Sequence, residues 1–152
     1  MRLALYQPDI PQNTGTLIRM AACMAISVDI INPCGFIFSD RRLRRAGMNY
    51  LDNADVTQHD SWEIFRNFVA LKESRLILLS TKAKTTYTSF SFRNSDILMV
   101  GRESAGVPDD VFEVVDDRIC IPMAKNARSL NVAIAAAMVL GEGLRQLNLP
   151  TN

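Results

Sequence analysis

The sequence predicts an α/β fold, a parallel sheet covered by helices on both faces. Two observations carry this prediction: short runs of Ile, Leu and Val recur along the chain, and stretches of helical character separate them. Strands buried on both faces read as continuous apolar runs, and these do.

The first run, Leu3 to Tyr6, is a strand, and Asn13 to Ala25 follows as a helix that the Asn13 side chain is placed to cap. Val28 to Ile31 is the second strand. A shorter helix near Asp40 to Ala46 and a longer one from Ser61 to Leu71 precede the strand Arg75 to Leu79. Ile97 to Val100 and Arg118 to Ile121 complete the strands, and a terminal helix runs from about Ser129 to Leu147. Within that helix Val132 to Leu140 is apolar on every face, so burial all round is expected. In a chain of 152 residues this points to a second subunit over its outer face.

With 48% apolar and 22% charged residues, residues 1–152 have the balance of a single domain with its own core. No apolar run approaches the roughly 18 residues that cross a bilayer. Met1 to Tyr6 meets Gln7-Pro8-Asp9 too early for the apolar core of a signal peptide, so a cytoplasmic protein without a membrane partner is expected. Cys23, Cys34 and Cys120 are odd in number and lack a C-x-x-C pair, which fits reduced thiols in the core rather than a disulfide frame or a zinc site. Net charge is only +1, so a nucleic-acid partner has to be argued from local clustering. Arg41, Arg42, Arg44 and Arg45 form the one dense basic cluster, a candidate phosphate-binding surface or else a solvated charged helix.

Ligands of open parallel sheets bind beyond the carboxyl ends of the strands. The unusual sequence falls there repeatedly: Gln12 to Gly15, Ser80-Thr81-Lys82, Gly101 to Gly106, and Met123 to Ser129. Arg19 lies four residues after Gly15, on the same helical face, and its side chain can pass over the bare glycine toward the loops. There its forked donors suit a phosphate or a developing oxyanion; an ion pair with Glu103 or an aspartate is the structural alternative. Gly101 and Gly106 bracket a sharp loop that Glu103 is placed to fix by accepting backbone hydrogen bonds. Ser129-Leu130-Asn131 opens the terminal helix, either as a plain cap or as part of a site. No G-x-G-x-x-G follows the first strand and no P-loop motif occurs, which weighs against a dinucleotide-binding or nucleotide-hydrolysing enzyme. The sole histidine, His59, is far in sequence from these loops, and neither a Ser-His-Asp triad nor a metal centre is expected.

Taken in order, Asn13-Thr14-Gly15 with Arg19, then Gly101-Arg102-Glu103-Ser104-Ala105-Gly106-Val107-Pro108, then Ile121-Pro122-Met123 with Ser129-Leu130-Asn131-Val132, resemble the three motifs of the SPOUT-class RNA ribose methyltransferases. The resemblance runs from about Leu3 to Gln146, and the lack of an appended RNA-binding domain, together with the segment Asp40 to Gly47, is similar to the minimal subfamily acting on the wobble ribose of tRNA. It implies a C-terminal trefoil knot, a homodimer, and S-adenosyl-L-methionine contacted at Leu79, Gly101, Ile121 and Ser129, with no metal. It further implies catalytic roles for Arg19, Ser129 and Asn131, and support from Asn13, Gly15, Glu103 and Gly106. Arg41, Arg42, Arg44, Arg45 and Lys82 would contact the anticodon region of the tRNA. Two positions depart from many relatives: Ala133 stands where a serine is frequent, and Ala105 where an arginine is. The alternatives are a non-catalytic RNA-binding protein on the same fold, methylation of another RNA, and a small-molecule enzyme.

Overall fold

The computed structural model describes residues 1–37 and 54–148. Among them seven strands form one sheet: β1 Arg2–Tyr6, β2 Ser27–Ile31, β3 Val56–His59, β4 Leu76–Leu79, β5 Thr85–Thr86, β6 Ile97–Val100 and β7 Asp117–Cys120. Their order is β3-β2-β1-β6-β4-β7-β5, and every pairing is parallel. All carboxyl ends therefore share one edge. The chain winds outward from β1 through β2 to β3, then returns to build β4 on the far side of β6. β7 enters between β4 and β5, so residues 80–84, which join those two strands, span its position.

The helices are α1 Pro11–Cys23, α2 Trp62–Leu71, α3 Asp109–Val114 and α4 Val132–Gln146. Side chains alternate across the strands, and each face has its own core. Leu3, Leu5, Val28, Ile30, Leu98 and Val100 meet Leu17 and Ile18 of α1 and Ala136, Val139 and Leu140 of α4. On the other face Ala4, Tyr6, Leu76, Leu78, Ile97 and Met99 meet Phe65 and Val69 of α2 and Val111 of α3.

The five expected strands all form, with ends shifted by no more than a residue. Strands β3 and β5 and helix α3 were not anticipated. β3 is polar and buries only His59 among its four residues, so it lacks an apolar run. Helix α1 starts at Pro11, whose ring angle suits the first helical position. The residue before it, Ile10, has no capping side chain, and Asn13 is not the cap. Ser129 likewise lies outside α4, which is capped by Asn131: its Oδ1 accepts from the N–H groups of Ala133 and Ile134 at 2.9 and 3.3 Å. Nor is α4 buried all round within this chain, for Ile134 and Met138 are 56% and 40% exposed. The cysteines are not core residues: Cys23 is exposed, and Cys34 and Cys120 are half-buried free thiols. Burial pushes the Cys34 thiol up to about 11, away from the reactive thiolate.

No helix among the described residues is long and apolar enough to cross a membrane. The short helix expected near Asp40 to Ala46, and with it Arg41, Arg42, Arg44 and Arg45, lies outside the described residues.

Candidate methyltransferase site

A cavity of about 450 Å³ opens at the carboxyl edge, where the loops after β1, β4, β6 and β7 converge. That volume is in the range of small-molecule sites. Leu79, Val100 and Ile121 give it apolar walls; Ser129 and Asn131 stand at the entry to α4. Leu79, Gly101, Ile121 and Ser129, the four positions expected to hold cofactor, all line it, as do Asn13, Glu103 and Gly106.

The loop after β6 owes its shape to its glycines. Gly106 has φ of +69°, a conformation side-chain-bearing residues rarely adopt. A Cβ on Gly101 would come within 2.6 Å of the Gly106 carbonyl carbon, so the close approach requires glycine at 101, whereas at 106 it is the positive φ that favours it. Arg102 and Gly106 then exchange backbone hydrogen bonds of 2.9 and 2.8 Å.

A chain of side-chain hydrogen bonds ties three loops together. Asn131 Nδ2 donates to Asn13 Oδ1 at 2.9 Å, and Asn13 Nδ2 donates to Glu103 Oε1 at 3.1 Å. Glu103 Oε2 accepts from the Asp9 backbone N–H at 3.1 Å. Because Asn131 spends its oxygen on the helix and its nitrogen on Asn13, both asparagine orientations follow from the network. Burial, followed by its contact with the Asp9 side chain, holds the Glu103 carboxyl above its ordinary value. Hydrogen bonding to Glu103 holds Asp9 below its own. Burial thus moves the glutamate one way and hydrogen bonding moves the aspartate the other.

Arg19 is not among the residues lining the cavity; it is exposed on α1, about one and a half turns beyond Asn13, and Gly15 is buried in the same helix. Lys82 borders an adjoining hollow of about 250 Å³, its Nζ 3.6 Å from Asp109 and 5.9 Å from the centre of the Phe112 ring. His59 is buried three strands from β6, its Nε2 2.9 Å from Asp29, which also accepts from Arg2 at 2.7 Å. Two residues near the site escaped the sequence reading. Asp9 lies three residues beyond the end of β1, and Arg102 entered only within the run Gly101 to Pro108, with no role of its own. Position at a strand's carboxyl end was the available signal for both. No group of side chains able to hold a metal ion occurs among the described residues.

A glycine-shaped loop and a capped helix thus meet over a cavity at the carboxyl edge of a parallel sheet, the edge where such sheets bind their ligands. Residues 1–141 match the model of the SpoU rRNA Methylase family, and the chain belongs to that family. A protein of Beijerinckia indica named tRNA (cytidine(34)-2′-O)-methyltransferase is 57% identical over 145 residues, covering 95% of this chain and 91% of that protein. A solved structure described as giving structural insights into the 2-OH methylation of C/U34 on tRNA superposes with a TM-score of 0.91 at 36% identity. It covers 97% of this chain and 95% of its own. The methyltransferase AviRb of Streptomyces viridochromogenes, solved with AdoMet, shares the fold at a TM-score of 0.87 and 22% identity, over 99% of this chain and 61% of its own.

Proposed function

We propose that this chain, as a single methyltransferase domain, transfers a methyl group from S-adenosylmethionine to the 2′-hydroxyl of the wobble nucleotide of tRNA, a cytidine or modified uridine. The observation that carries the reading is the convergence of Leu79, Gly101, Ile121 and Ser129 on one cavity, in a chain closely similar to proteins bearing that name. The apolar walls suit an adenine ring, and the polar group at the entry to α4 suits the sugar and amino-acid parts of the cofactor. When bound, the cofactor supplies an electrophilic methyl on a sulfonium.

The protein's share is alignment and electrostatics. Holding a hydroxyl in line with a reactive methyl supplies up to about 7 to 11 kcal/mol in well-oriented cases. Asn131, locked by its bond to Asn13, presents a fixed edge beside Ser129 for orienting ribose or cofactor. Arg19 stabilises the oxygen as its proton leaves; a guanidinium stays protonated and is no general base. Its position outside the cavity lining supports delivery from a second copy of the chain. The exposed Ile134 and Met138 on α4 supply an apolar face for such a homodimer. The reading includes the trefoil knot, supported by the entry of β7 between β4 and β5. It also places the enzyme in the cytoplasm, where tRNA is processed.

Methyl incorporation from labelled S-adenosylmethionine into unmethylated cellular tRNA, followed by nucleoside analysis, tests the reaction. A wobble 2′-O-methylnucleoside is expected, and an unlabelled tRNA pool with intact cofactor binding would overturn it. Arg41, Arg42, Arg44, Arg45 and Lys82 are the proposed tRNA contacts. Replacing Arg42 and Arg44 by Ala should reduce the magnitude of the slope of log affinity against log salt by about 1.4 to 1.8. An unchanged slope removes the cluster from the interface.

A further inference from the structure

Asp9 belongs to none of the three motifs, yet its carboxylate holds the loop that walls the cavity. Oδ1 accepts from the Glu103 N–H at 3.1 Å, and Oδ2 accepts from the Ser104 N–H at 3.3 Å and from the Ser104 hydroxyl. Glu103 returns the bond by accepting from the Asp9 N–H at 3.1 Å. The two loops are therefore joined in both directions. Arg102 Nε lies 3.8 Å from Asp9 Oδ2, buried and without a hydrogen-bond acceptor, so the aspartate is the negative charge it faces.

The position of Asp9 is itself set from behind. The Gly35 N–H donates to the Pro8 carbonyl at 2.9 Å. A Cβ on Gly35 would come within 2.7 Å of the Asp9 Cβ and 2.9 Å of its Cα, so this close approach requires glycine. The segment after β2 thus presses Asp9 toward the loop after β6.

We infer that Asp9 is a positioning residue, a latch that keeps Gly101 to Gly106 in the shape that forms the cofactor wall and thereby sets affinity for the adenosyl cofactor rather than for RNA. The inference rests on the reading that the cavity takes S-adenosylmethionine. An acceptor-only side chain is needed here, because an amide would turn its N–H₂ group either toward the Glu103 N–H or toward the Ser104 N–H and the Arg102 guanidinium, losing an acceptor in both orientations. The Glu103 N–H is part-buried, and leaving it without an acceptor costs more than leaving a solvated donor so, which shifts the loop instead.

The experiment measures binding of S-adenosylhomocysteine by calorimetry, which needs no RNA, together with tRNA affinity, KM, kcat and thermal unfolding. Asp9→Asn should weaken cofactor binding and raise its KM by about 10- to 100-fold. Cooperative unfolding should persist, with tRNA affinity within about 2-fold of wild type. Gly35→Ala, which displaces Asp9 without altering its carboxylate, should act in the same direction. Ser104→Ala, which removes one donor of several, should cost about 2- to 5-fold. Cofactor affinity unchanged in Asp9→Asn, or cofactor and tRNA affinity lost in equal proportion, overturns the latch. If Asp9→Asn does not fold, the other two variants decide, and unchanged affinity in both overturns it. A wild-type chain that fails to bind S-adenosylhomocysteine overturns the reading of the cavity and the latch with it; tight wild-type binding that Asp9→Asn leaves intact overturns the latch alone.

Discussion

At the amino-terminal edge of the sheet, Arg75 donates from Nε and Nη2 to the two oxygens of Asp96 at 2.9 and 2.8 Å, and Asp96 also accepts from the Arg93 N–H at 2.7 Å. Asp116 accepts from the Leu76 N–H at 2.7 Å on the same edge. At the carboxyl edge the polar residues instead surround open space, and Arg102 Nε has no hydrogen-bond acceptor among the described residues. One edge spends its charges on closing the fold, and the other holds donors and acceptors in place for something else to meet. The difference teaches where to look for function in such a sheet: the edge whose polar groups are ordered but incompletely used.

Substitutions that affect one edge and spare the other sharpen this contrast. The largest effect is expected from Arg19→Ala, which should lower the methyl-transfer rate by about 100-fold or more while leaving the melting temperature close to wild type. Near-normal turnover in that variant, measured with labelled cofactor, would remove Arg19 from the chemistry. Asp96→Ala should do the reverse, costing about 3 kcal/mol of stability by stripping a buried partner from Arg75. Its affinity for S-adenosylhomocysteine in the folded state should be unchanged; a matching loss of affinity would show that the edges are not independent. Asn131→Ala should cost about 1 kcal/mol through loss of the α4 cap. Unlike Asp96→Ala, it should also weaken cofactor binding, because Asn13 then loses its partner.

The smallest effect is on pH dependence. Glu103 is raised above 4.5, so the folded chain holds that proton more tightly than the unfolded one. Its contribution to stability is present below the unfolded value and is lost as pH rises through the higher folded value. Asp9 is lowered from 3.8, and its contribution is lost only as pH falls toward its own folded value. Melting temperatures taken from about pH 4 to about pH 7 should therefore show a downward component that Glu103→Gln removes. Identical profiles in the two proteins would mean that Glu103 does not retain its proton on folding.

Much of the fold was legible because its central strands are short, buried and apolar. Leu3 to Tyr6 and Ile97 to Val100 admit no other role in a chain of this composition. The edge strands were illegible for the converse reason: Val56-Thr57-Gln58-His59 is polar, and Thr85-Thr86 is only two residues long. Helix α3, six residues starting after Pro108, is too short to show a period. The loops of the candidate site could be located from strand ends alone, but the partners of their side chains could not. Asn13 and Ser129 read locally as helix caps, whereas Asn13 reaches 118 residues along the chain to Asn131. Asp9 was missed because its partners are 94 and 95 residues away.

The placing of β7 bears on how the chain is made as well as on what it binds. β1, β2 and β3 pair with one another in the order in which they leave the ribosome, but β4 has β6 and β7 as its neighbours and neither yet exists when it emerges. Half of the sheet must therefore wait for residues 97–120 to be synthesised. The cavity, whose walls reach Ala135, cannot form before that residue has been synthesised. A nascent fragment ending before β6 should bind no cofactor however long it persists, so assembly of the pocket reports that synthesis has passed residue 135.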